Sequence, residues 1–199
     1  MSDPANPLKE TASQTAGPFV HIGLAPKNAG IEVYASELGR EIAGPDVQGE
    51  RITVTGCVFD GSGAPVSDVL IEVWQADAAG TYSGAHDHPL GFTGWGRVVP
   101  DFTTGIFIFD TIKPGTVALP KGGVMAPHLN LWLVARGINI GLSTRMYFSD
   151  EVCLNDQDPI LTQIADPQRR GTLIGRHGPE GYAFDIQLQG DAETVFFDV

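Results

Sequence analysis

Residues 126–136 read APHLNLWLVAR, and the side chains able to do chemistry there are spaced by two. On a β-strand residues i and i+2 point the same way, so His128, Asn130, Trp132, Val134 and Arg136 are expected on one face. A His-x-His pair on such a face would offer one metal two imidazoles side by side. Here the second position is Asn130, a neutral amide and a poor transition-metal ligand, and a buried hydrogen-bonded His–Asn pair explains the same residues without a metal. His86 and His88 form a true His-x-His, but SGAHDHPLG is bounded by Gly and Pro and reads as a loop, where alternation cannot be assumed. A solvated loop and a metal-binding one both remain open there. His21 and His177 complete the histidines, with Tyr82, Tyr147 and Tyr182 among the phenols. Arg136 lies eight residues past His128, roughly 26 Å along a straight strand, too far to share a pocket with it. It reads either as a strand-end arginine in a surface ion pair or as a fork for a carboxylate.

Other chemistries lose support at this level. The chain has no G-x-S-x-G, no G-x-x-x-x-G-K-[ST], no H-E-x-x-H and no C-x-x-C. Its formal charge of −12 and scattered Lys and Arg would repel a phosphate backbone, so nucleic acid is not expected as a partner. The opening MSDPANPLKETASQTAGP lacks the basic and apolar regions of a signal peptide, and no stretch is long and apolar enough to span a bilayer, which predicts a soluble cytoplasmic protein away from membranes. Cys57 and Cys153 show no metal-type spacing and are expected as buried free thiols.

The elements that must position these residues are strands. With 199 residues, 42% of them hydrophobic, one well-formed core is expected, and hence a single domain over residues 1–199 with an arm at 1–30 and a β core at 51–199. From residue 51 onward, short β-branched runs alternate with turn residues, the pattern of an all-β sandwich or barrel. RITVTGCVF (51–59) puts Ile52, Val54 and Val58 on one face, and DGSG (60–63) turns the chain into PVSDVLIEVWQAD. Further strands are predicted at 105–112, 128–136, 142–148 and 182–188, with long loops at 78–98 and 113–127. Short helices are predicted near 33–42 and 157–166. The Gly- and Pro-rich first 30 residues are predicted to be an extended arm.

SQTAGPFVHIGL (13–24), GCVFDGSGAPVSDVLIEVWQADAAGTY (56–82), APHLNLWLVARGINIGLSTRMYF (126–148), PQRRGTLI (167–174) and DAETVFFD (191–198) together resemble the intradiol ring-cleaving dioxygenases over nearly the whole chain. SQTAGP and ARGINI resemble the alpha chain of the members built from two homologous chains. The resemblance implies a β-sandwich paired with a homologous beta chain, the alpha-beta unit repeating into a larger assembly. It implies Fe(III) held by two tyrosines and two histidines of that partner beta chain, with no iron bound by this one. The reaction implied is cleavage of the small aromatic substrate protocatechuate (3,4-dihydroxybenzoate) by O₂ to 3-carboxy-cis,cis-muconate.

Carried over residue by residue, Tyr82 and His128 stand at two of the iron-ligand positions, Asn130 replaces the second histidine, and TVALPKGGVM lacks the second tyrosine. Met125 stands where the iron-bearing chain has an arginine. Two of four ligands are gone, so Tyr82, His128 and Asn130 are expected to be a vestigial metal site. Thr15, Gly17 and Pro18 are expected to wall the partner's substrate pocket, and Arg136 to meet the ring carboxylate. The missing Cβ of Gly17 would let the backbone approach a planar ring. The competing readings are a non-enzymatic β-sandwich that binds or scaffolds a ligand, and a self-contained metalloenzyme using His86, His88 and His128.

Overall fold

A computed structural model of the chain describes residues 15–17, 19–84 and 91–198. In chain order its elements are α1 (Phe19–Leu24), β1 (Arg51–Phe59), β2 (Leu70–Gln75), β3 (Trp95–Val98), β4 (Ile106–Ile112), β5 (Val117–Ala118), β6 (Val124–Met125), β7 (His128–Val134), β8 (Leu142–Phe148), α2 (Val152–Asn155), α3 (Pro167–Gly171), β9 (Ile174–Gly178), β10 (Gly181–Ala183) and β11 (Ile186–Gln187). Among the described residues nine strands join in the order β11-β1-β10-β9-β8-β7-β2-β3, with β4 on the free edge of β1, and β5 pairs β6 separately.

The sheet folds over on itself because each strand has one apolar face. Ile52, Val54 and Val58 of β1, Phe107 and Phe109 of β4 and Ile186 of β11 pack in one buried cluster with Ile71 and Val73 of β2, Leu129, Leu131 and Leu133 of β7 and Met146 and Phe148 of β8. Strands at opposite ends of the hydrogen-bonded path thus share a core, the arrangement of a sandwich.

Several expectations need correction. Residues 33–42 form no helix: Gly39 has φ +78°, and the carbonyls of Gly39 and Ile42 accept from Arg97 N–H and Thr93 N–H at 2.8 and 3.0 Å. The segment spends its backbone groups beside β3, and Val33, Tyr34 and Leu38 are exposed, so no apolar helical face is buried. Within 157–166 only a 3-10 turn, Leu161–Gln163, forms, because the Asp158 carboxylate takes the N–H groups of Ile160 and Leu161. The arm is not extended throughout, since α1 begins two residues after Gly17. The strand expected at 182–188 splits into β10 and β11: Asp185 accepts the Cys57 N–H at 3.0 Å through its side chain, which breaks the ladder. Strand β9 and, inside the loops expected at 78–98 and 113–127, strands β3, β5 and β6 have no counterpart among the expected strands. Cys57 is a buried free thiol, but Cys153 is exposed because α2 lies at the surface.

Gly56 sits where β1 passes from β10 to β11, and a Cβ there would stand 1.8 Å from the Phe184 carbonyl oxygen and 2.6 Å from the Phe107 ring. Backbone cannot yield as a flexible side chain can. Gly56→Ala is therefore expected to lower stability by about 1–3 kcal/mol, read as a lower urea midpoint with an unchanged m-value. An unaltered midpoint would mean that the sheet parts there without cost.

Candidate functional site

Chemistry-bearing side chains gather at both ends of β7. Leu129, Leu131 and Leu133 are turned into the core, which leaves His128, Asn130, Trp132 and, past the strand end, Arg136 on the other face, as the alternation predicts. The neighbouring strands fix what meets them. Asn130 lies opposite Trp74 of β2 and Arg145 of β8, and His128 lies opposite Tyr147.

At the N-terminal end of β7, Tyr82 arrives from a turn folded back on the end of β2. Asp77 accepts the N–H groups of Ala79 and Thr81, each at 2.9 Å, and an isolated bridge pairs Ala76 with Tyr82. Gly80 makes the turn possible: its φ is +83°, and a Cβ would lie 1.9 Å from the Thr116 carbonyl oxygen. The Tyr82 hydroxyl then lies 3.1 Å from His128 Nε2.

The hydrogen bonds assign the protons. His128 Nδ1 is 2.7 Å from the Ala126 carbonyl, which can only accept, so Nδ1 carries the hydrogen and Nε2 presents its lone pair. Tyr82 therefore donates to Nε2, and its oxygen accepts from Asn130 Nδ2 at 3.0 Å. Asn130 also donates to the Trp74 carbonyl at 3.2 Å. The expected pair is thus bridged: His128 and Asn130 meet through the Tyr82 hydroxyl. Burial first, and the Arg145 cation second, push the His128 pKa down to about 4, so the imidazole is neutral at neutral pH. Burial raises the Tyr82 pKa against the pull of Asn130 and Arg145, and keeps the phenol protonated.

This donor set does not fit Fe(III). A ferric site needs phenolates and free imidazole lone pairs aimed at a common point. Here the Tyr82 proton occupies the His128 lone pair, Asn130 aims an N–H at the phenol oxygen, and a guanidinium lies alongside. Among the described residues no group of three or more His, Cys, Asp or Glu is placed to hold a metal. His86 and His88 lie outside the described residues, and His177 packs on the Tyr182 ring with centroids 4.9 Å apart.

At the other end of β7, Ala135 is buried and Arg136 turns outward with 67% of its side chain exposed. Its Nε donates to Asp68, so the surface ion pair is present, and its two Nη groups make no hydrogen bond to the described residues. The next N–H, of Gly137, donates to the Thr15 hydroxyl at 2.7 Å, which ties the arm to the arginine loop. No described residue lies within 4 Å of the Cβ position of Gly17. Pro18 lies outside the described residues. His21 of α1 is buried nearby against Phe102, and burial lowers its pKa while Asp68 and the Val69 backbone oppose the shift.

Three contributors escaped the sequence reading. Arg145 donates to Tyr147 Oη at 3.3 Å and to Met125 Sδ at 3.4 Å, and Tyr147 donates to the fully buried Asp158 at 3.2 Å. Asp68 is the third. For Arg145 the signal lies in the sequence: LSTRMYF predicts a strand, and alternation sets Arg145 and Tyr147 on one face.

Comparison with known proteins gives one consistent result. Residues 28–190 match the family model described as Dioxygenase. The chain is 48% identical over 199 residues to the protocatechuate 3,4-dioxygenase alpha chain of Pseudomonas putida, covering 98% of this chain and 99% of that one. It is 36% identical over 213 residues to the protocatechuate 3,4-dioxygenase beta chain of Burkholderia cepacia, covering 96% and 84%. Catechol 1,2-dioxygenase from Pseudomonas arvilla C-1 shares the fold with a TM-score of 0.56 at 20% identity, over 89% of this chain and 71% of that one.

The His128 shift has a measurable consequence. The unfolded chain binds this proton near pH 6.5, the folded chain only near 4. Stability from the neutral imidazole is complete above about pH 6.5 and is lost as pH falls towards 4, by up to roughly 3 kcal/mol. Urea midpoints between pH 4 and 7 should fall steeply for the native chain and more shallowly for His128→Gln. Equal slopes would assign the dependence to other groups.

Proposed function

The chain belongs to the intradiol ring-cleaving dioxygenase family, and from that premise we propose that it is the alpha chain of a protocatechuate 3,4-dioxygenase. Its role is to complete the substrate pocket of a homologous, iron-bearing beta chain, within a cytoplasmic assembly of alpha-beta units. The chain acts as one domain, residues 1–199, and binds no iron itself. The complex adds both atoms of O₂ to 3,4-dihydroxybenzoate and opens the ring between its hydroxyl-bearing carbons to give 3-carboxy-cis,cis-muconate.

The observation that carries this reading is the tie between the arm and the arginine loop. Thr15 accepts from Gly137 N–H beside Arg136, at the opposite end of β7 from the chain's own Tyr82–His128 cluster. A cation and an arm held together, open to solvent, form one wall of a pocket and need a second molecule for the other. Phe19 and Ile140 are 81% and 67% exposed, large apolar side chains suited to burial against a partner.

In the complex Arg136 meets the ring carboxylate. Asp68 holds Nε, while the Nη groups make no hydrogen bond to the described residues, so one N–H from each can serve the two carboxylate oxygens. Gly17 lies flat against the ring face, and Thr15 fixes the arm so that this wall is formed before substrate arrives. The arm excludes water around the carboxylate and strengthens the charged contact.

Removal of the fork should act on carboxylated substrate alone. An Arg–carboxylate contact is worth about 1.5–3 kcal/mol, or roughly 10–100-fold. In the reconstituted alpha-beta complex, Arg136→Ala should lower kcat/KM for protocatechuate by that factor while turnover of plain catechol changes little. Equal losses for both substrates, or none for either, would remove Arg136 from the substrate pocket.

A further inference from the structure

The Tyr82–His128–Asn130 cluster has lost the donor set for a metal, yet it retains a fixed positive charge. Asn130 and Arg145 are directly opposed on β7 and β8, so the Arg145 side chain stands on the face that carries His128 and Asn130. It lines the same cleft as Asn130, Trp74 and Trp132. Its guanidinium is anchored through Nη1, which donates to the Tyr147 hydroxyl at 3.3 Å and to Met125 Sδ at 3.4 Å. Tyr147 passes the contact on to Asp158, which is fully buried and also accepts the N–H groups of Ala126, Ile160 and Leu161 at 2.8–2.9 Å.

Ala126 closes the circuit, because its carbonyl holds His128 Nδ1 at 2.7 Å. One buried carboxylate thus positions both the imidazole and, through a phenol, the guanidinium. The Arg145 cation is thus linked to the buried Asp158 by way of the Tyr147 hydroxyl. Its charge opposes any second cation that would approach Tyr82 and His128 from the cleft.

We infer that Arg145 stands in for a metal ion, supplying the positive charge beside Tyr82 and His128 and barring a cation from re-entering the cluster. The closure is therefore double. Asn130 and the missing second tyrosine remove two ligands, and Arg145 occupies the electrostatic place. Neither part depends on the role of Arg136, so each can fail without the other.

Substituting back tests the two parts separately. Asn130→His in the full-length chain restores the His-x-His pair on β7, but with Arg145 present it should bind no stoichiometric Co(II) and show none of the visible bands of a coordinated ion. Asn130→His combined with Arg145→Gln keeps a donor for Tyr147 and removes the charge. This double variant should bind one equivalent, with affinity about 10–100-fold above the single variant, and with Fe(III) it should develop a phenolate charge-transfer colour. Asn130→His with Arg145→Lys keeps the charge and should remain as empty as the single variant. Binding by the single variant as tight as by the Gln double variant would overturn the inference, as would a Lys double variant that binds like the Gln one. A Gln double variant that keeps native circular dichroism yet takes up no metal would also overturn it. Should that variant not fold, Arg145→Met, which keeps the stem packed beside Met125, carries the same comparison.

Discussion

The register of β7 is the constraint on which the rest of the structure depends. Leu129, Leu131, Leu133 and Ala135 are each 3% exposed or less, and they lock one face of the strand into the core. A slip of one residue would send His128, Asn130 and Trp132 inward and put four apolar side chains in water. Burial of a Leu side chain is worth about 1.5–3 kcal/mol, so this alternative is excluded by a wide margin. Both chemical clusters inherit their positions from that choice. His128 and Asn130 are held at the start of the strand, where the Tyr82 turn and β8 reach them. Arg136 is carried to the far end, beyond their reach and beside the arm.

The first cluster is stable without a metal because each polar atom has found a neutral partner. Four groups close on one another: the Ala126 carbonyl, the His128 imidazole, the Tyr82 phenol and the Asn130 amide. Leaving one of these buried donors or acceptors unpaired would cost about 1–3 kcal/mol, which is why the proton positions are so fully determined by geometry. The low His128 pKa follows from burial of the imidazole first and from the neighbouring Arg145 cation second.

Much of this was legible in the residues. The alternation of 128–136 and the strands at 51–59 and 142–148 follow from residue type and spacing, because they depend on period-two patterns, whereas the loss of two ligand positions was implied only by the family resemblance. What was not legible depended on long-range partners. The helix expected at 33–42 failed because Gly39 and Ile42 gave their carbonyls to residues near β3, more than 50 positions away. Strand β9 pairs in parallel with β8 and carries Gly175, Arg176 and His177, a composition with no strand signature of its own. Asp158 escaped notice because a carboxylate buried against backbone N–H groups looks, in sequence, like any polar residue before a proline.

The two arginines on this face of the sheet show how burial divides their roles. Arg136 is two-thirds exposed and held by one carboxylate, and an exposed ion pair contributes only about 0–1 kcal/mol, so its fork can be turned to another carboxylate at small cost. Arg145 is half-buried and faces Tyr147, Met125 and the neutral His128, and removing it would strip the charge from a network whose other end is the buried Asp158. Exchanging their surroundings would defeat both: a buried Arg136 could not reach a second molecule, and a solvated Arg145 would be too screened to hold a place against a metal. One strand thus carries a closed cluster at one end and an exposed arginine just past the other.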